Sequence, residues 1–105
     1  MNITGVRKYE AAPREQITFS FQRSRPNLPV SLSVDGSEFR PVLNEFAVQV
    51  PADKGTQRKI VVMVVGEDND LCNLIISGEQ GPKDQDALVV MSTPVSSARY
   101  RFTVL

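Results

Sequence analysis

Histidine and tryptophan are missing from this sequence, and cysteine occurs once, as Cys72. Without histidine, the side chain most used for proton transfer near neutral pH and the commonest metal ligand are gone, so the ordinary serine, cysteine and zinc chemistries cannot be assembled. Ser77, Ser92, Ser96 and Ser97 have no imidazole to activate them, and Lys54, Lys59 and Lys83 sit in polar, turn-like contexts rather than the buried ones a serine and lysine pair needs. The lone cysteine closes no intramolecular disulfide, which favours a reducing, cytoplasmic compartment. Cys72 falls on the apolar side of a strand pattern, where a thiol is packed and inert.

Charge of either sign is not in excess: 12 basic and 12 acidic residues cancel. No global field draws in nucleic acid or an anionic membrane. The Arg23-Ser24-Arg25-Pro26 stretch has no aromatic residues on which bases could stack. Residues 1–16 lack the apolar core of a signal peptide, and no run approaches the ~18 apolar residues of a membrane span. Gly78-Glu79-Gln80-Gly81 is followed by neither Lys-Ser/Thr nor a helical pattern, so it is not a phosphate loop.

What the chain has instead is alternation. Ile17, Phe19 and Phe21 alternate with Thr18, Ser20 and Gln22, the period of two that turns one face to a core. Leu28, Val30, Leu32 and Val34 repeat the pattern and run into Asp35-Gly36, a dipeptide suited to a tight hairpin. The returning strand, around Ser37 to Val42, contains Pro41, which belongs at a sheet edge. Phe46, Val48 and Val50 form the next run. Ile60 to Val65 is apolar throughout, predicting a central strand covered on both faces. Leu71 to Ile76, Leu88 to Met91 and Arg99 to Val104 complete the set, and no segment has helical periodicity. The expectation is an all-β fold, an antiparallel two-sheet sandwich of immunoglobulin-like or jelly-roll type with about seven or eight strands. Residues 1–105 make one domain on this reading, with residues 1–15 an irregular arm or edge strand containing Pro13.

Acidic residues gather in two segments expected to be loops, 67–70 and 79–86: Glu67, Asp68 and Asp70, then Glu79, Asp84 and Asp86, against Lys83. Asp68 and Asp70, like Asp84 and Asp86, are two apart, which in extended backbone points both carboxylates the same way, as an oxygen-rich calcium shell requires. These four aspartates are the candidate metal ligands. The segments are separated by a strand, so they meet only if residues 78–87 fold back along it; otherwise they are solvated turn acids. The closing Ala98-Arg99-Tyr100-Arg101-Phe102-Thr103-Val104, with Asp70-Leu71 before it, resembles the ending of accessory β-sandwich domains appended to secreted bacterial peptidases. The resemblance covers a small part of the chain and implies a sandwich, with no functional residue attached.

By elimination the expected function is a non-catalytic interaction or structural module, with a protein partner or a second copy of the chain bound through edge strands. The alternative is a calcium-dependent or carbohydrate-binding module using the two acidic segments.

Overall fold

The structure, a computed structural model, describes residues 5–79, 81–90 and 94–105. Residues 1–4 of the expected arm or edge strand, together with Gln80, Met91 and Ser92, lie outside the described residues. The strands are β1 (Val6–Ala11), β2 (Gln16–Arg23), β3 (Val30–Val34), β4 (Arg40–Pro41), β5 (Glu45–Gln49), β6 (Gln57–Val65), β7 (Leu71–Gly78), β8 (Gly81–Val89) and β9 (Val95–Val104). They form a five-stranded sheet in the order β1-β9-β6-β3-β4 and a four-stranded sheet in the order β5-β2-β7-β8. Among the described residues there is no helix, and so none long and apolar enough to cross a membrane.

The alternating positions are the ones that meet between the sheets. Ile17, Phe19 and Phe21 of β2 and Cys72, Leu74 and Ile76 of β7 pack against Leu32, Ile60, Val62, Val64, Tyr100 and Phe102 of the facing sheet. Phe19 contacts Tyr100 and Phe102 edge-on, at ring centroid distances of 5.6 and 6.1 Å, while Tyr9 stacks on Phe102 at 5.2 Å. These rings weld β1 and β9 to β2, because aromatic pairs in such geometries add to the stabilisation from area burial.

Of the two forms considered for residues 1–15, irregular arm or edge strand, Val6–Ala11 take the edge-strand form. The strand direction is where the expectation needs correction: β1 runs parallel to β9, from Val6 opposite Arg99 to Ala11 opposite Val104, so the sandwich is mixed rather than purely antiparallel. Residues 81–86, expected as loop, extend β8, bringing the total to nine strands among the described residues. The last strand, β9, lies inside its sheet, flanked by β1 and β6. The Ile60–Val65 run is central as expected. Its outer side is not covered by another layer, however: Val61 and Met63 are half-buried and Val65 is exposed.

Turn chemistry sets the β3–β4 hairpin. Asp35 and Gly36 both adopt positive φ, +52° and +79°, and Ser37 N–H closes the turn onto Val34 O at 3.0 Å. Two successive left-handed residues match the twist of the flanking strands, which is why Asp-Gly serves there. Pro41 sits on β4, at the edge of the sheet, where its missing amide costs no ladder bond.

Candidate functional site

The acidic residues singled out by the sequence do not gather at one place. Asp68 is exposed in the turn before β7. Asp70, in the same turn, is held by Arg25, whose Nε and Nη2 reach it at 3.1 and 3.0 Å, and it accepts from Ser24 Oγ and from the Glu67 amide. The Arg25 hydrogen bond leads in holding its carboxyl below the usual carboxylate range. Asp84 and Asp86 do share a face, as their spacing requires, but they lie opposite Ile76 and Leu74, on β8. Asp70 precedes Leu71 at the other end of β7, so at ~3.3 Å per residue it stands roughly 13 Å or more along the strand from Asp86. No group of three or more carboxylate or thiol side chains among the described residues is placed to surround a metal ion.

What Asp84 and Asp86 meet is the neighbouring sheet. Arg7 of β1 contacts Asp84 Oδ2 at 3.0 Å through Nη1 and Asp86 Oδ1 at 3.1 Å through Nη2. Tyr9 donates its hydroxyl to Asp84, and Tyr100 donates to Asp86 Oδ2 at 2.9 Å. The edges of the two sheets are thereby clamped by a network in which each carboxylate is shared between a guanidinium and a phenol. Burial raises both tyrosine pKa values, and the adjacent carboxylates push them further up. Burial would also raise Asp84, yet hydrogen bonds from Tyr9, the Gln85 amide and Arg7 outweigh it and leave the carboxyl low.

Glu15, which sequence reading passed over, is the node at one end of this clamp. Its side chain is 7% exposed, accepts from the Ala12 amide at 2.9 Å and the Glu79 amide at 3.2 Å, and pairs with Lys83 Nζ at 3.4 Å. Lys83 in turn donates to Glu10 O at 3.1 Å. A single carboxylate thus fixes the β1–β2 turn, the β7–β8 hairpin and the edge of β1. A Cβ at Gly78 would overlap Glu15 Oε2, so the small residue there is part of the arrangement.

The opposite side of the sandwich is different. The chain crosses from β4 to β5 through Val42, Leu43 and Asn44, with Arg23 of β2 capping the carbonyls of Leu28, Val42 and Leu43. Leu43, after β4, is 80% exposed, and Phe39, before it, is 42% exposed. Among the described residues β5 pairs only with β2. Phe21 N–H donates to Asn44 O and Val50 N–H to Glu15 O, so by the alternation of an antiparallel ladder the amides and carbonyls of Phe46 and Val48 face β2. Those of Glu45, Ala47 and Gln49 face away. The Gln49 carbonyl is taken by Arg58 Nε at 3.2 Å, leaving Glu45 and Ala47 as the open part of the edge. Comparison with family models, with curated proteins and with solved structures finds no match to this chain.

Proposed function

We propose that this chain is a non-catalytic interaction module, an accessory domain or a subunit of a larger assembly, that binds an extended protein segment along β5. The observation that carries the reading is the asymmetry of the sandwich. The edge strands β1 and β8 are tied to each other by the Arg7, Asp84, Asp86 and tyrosine network, whereas β5 carries no such clamp over its outward backbone at Glu45 and Ala47 and follows the exposed Leu43 in the chain. An open edge supplies affinity through main-chain hydrogen bonds, and adjacent apolar side chains supply selectivity. Nine strands in sheets of five and four fit the nine-strand immunoglobulin-like sandwich better than the eight-strand jelly roll.

The reading is tested by selecting displayed random peptides on the folded chain and counter-testing them on Ala47→Pro. Proline at Ala47 removes an amide that faces away from β2 and so leaves the internal ladder intact. The reading predicts peptides that bind the wild type and lose binding to a variant of unchanged melting temperature. Peptides that bind both equally would rule out strand addition at β5. If the occupant is a second copy, light scattering shows a mass that grows with concentration for the wild type and stays monomeric for Ala47→Pro. A calcium-dependent or sugar-binding role for the acidic segments would appear instead as a melting temperature that rises with calcium and falls with chelator.

A further inference from the structure

The outer face of the five-stranded sheet carries a row of like charges. Lys8 on β1, Arg101 on β9 and Lys59 on β6 are directly opposite one another across three adjacent strands. Arg99, two residues before Arg101 and on the same face, is opposite Val6 and Val61. With neighbouring strands ~4.8 Å apart, the three cations of the row fall within about 10 Å. Like charges set opposite each other work against the sheet, so this is not an arrangement that strand pairing itself favours. None of the four cationic side chains forms an ion pair among the described residues. Glu10, the acidic residue of β1 on this face, lies opposite Thr103, one step beyond the row, and does not pair with Lys8. Asp35 is occupied by Arg58 and by the Lys59 amide.

Two further observations mark the place. Arg101 Nε–H is buried and has no hydrogen-bond partner, one of two such side-chain atoms among the described residues. A cavity of about 200 Å³ opens beside the row, its lining including Val6, Val61, Lys59, Arg99 and Arg101 but not Lys8. Three cations lining a cavity without a counter-charge, one of them carrying a donor that has no acceptor in the protein, suit one tetrahedral oxyanion.

We infer that this face is a binding site for a phosphate or sulfate group, with Arg101, Arg99 and Lys59 as its ligands and Lys8 adding charge from the neighbouring strand, on a compound whose apolar part covers Val6 and Val61. The site is separate from the β5 edge and does not depend on the function proposed above. It is tested by titrating inorganic phosphate into the isotope-labelled chain at constant ionic strength, with chloride as the balancing ion, and following the amide and Arg Nε–H resonances. Saturable shifts centred on Lys8, Lys59, Arg99 and Arg101, including the Arg101 Nε–H, are expected. Arg101→Gln and Lys59→Gln should each weaken the apparent affinity by at least about tenfold, the loss of one charge-assisted hydrogen bond. Arg40→Gln, on β4 of the same sheet, should leave it unchanged. Shifts that do not saturate, or that spread over Arg14, Arg40 and Lys54 and persist in both variants, would overturn the site. In a second arm, vesicles containing anionic phospholipid co-sediment with the wild type and not with Arg101→Gln if the phosphate belongs to a lipid headgroup. Saturation by phosphate without co-sedimentation assigns a soluble ligand.

Discussion

Glu15→Gln removes one charge and keeps the shape of the side chain, so it isolates what the carboxylate does. Two amides, from Ala12 and Glu79, converge on its oxygens, and Lys83 Nζ lies 3.4 Å away. A glutamine can accept from one amide, but its NH2 group then faces the other donor, and the Lys83 ammonium, 21% exposed, loses its counter-charge. An unsatisfied buried donor together with a half-dismantled ion pair puts the loss at about 2–4 kcal/mol. For a domain of this size that lowers the melting temperature at pH 7 by roughly 10–30 °C. Burial alone would raise the Glu15 pKa, but the Ala12 amide, Lys83 and the Glu79 amide more than offset it, and the value is lowered from 4.5. A carboxylate whose pKa is depressed on folding stabilises the fold above its unfolded value and loses that contribution as pH falls through the folded one. The gap between wild type and variant is therefore full at neutral pH, shrinks below about pH 4.5 and closes in stronger acid. Calorimetry between pH 3 and 7 reads it. A variant melting within about 2 °C of the wild type at pH 7, under half a kcal/mol, would refute the role assigned to Glu15.

Truncating the ring that joins β9 to Tyr9 and Phe19, in Phe102→Ala, is expected to cost about 3–5 kcal/mol in denaturant unfolding, because the site is wholly enclosed. Gly36→Ala, at φ +79°, is expected to lose about 1 kcal/mol although open space surrounds it; an unchanged stability would mean that the turn relaxes at no cost. The Cys72 thiol, buried and with its pKa raised by desolvation, should react with a thiol reagent only upon unfolding, and a fast native reaction would show that β7 opens locally. Added calcium or chelator is expected to leave the melting temperature unchanged, since Asp84 and Asp86 are already engaged by Arg7, Tyr9 and Tyr100.

Strands β2, β3, β5 and β9 were legible from apolar alternation, and β6 and β7 from their nearly continuous apolar runs, because each must send every second side chain into the core. β1 and most of β8 were not. Each is an edge strand whose inward positions are held partly by polar groups: Arg7 and Tyr9 on one, Asp84 and Asp86 on the other. A signal was present in β8 all the same. Asp84, Asp86 and Leu88 keep one period-two frame with Val90 beyond the strand, so the Asp-x-Asp step was the polar continuation of a strand and not a loop. The inference that the two aspartates share a face was right. Their counter-charge is a guanidinium supplied by a parallel strand pairing of residues some ninety positions apart, which local sequence does not encode. Glu15 was missed for a similar reason, since nothing around it marks a charge as buried. The cationic row escaped notice because its members come from β1, β6 and β9, and only the register places them together.

Amide hydrogen exchange on the chain with and without a bound peptide tests the central claim most directly. Protection gained at Glu45 and Ala47, with the amides of Phe46 and Val48 already slow in the free chain, is the result that strand addition at β5 predicts. Protection appearing elsewhere while Glu45 and Ala47 continue to exchange freely would contradict it.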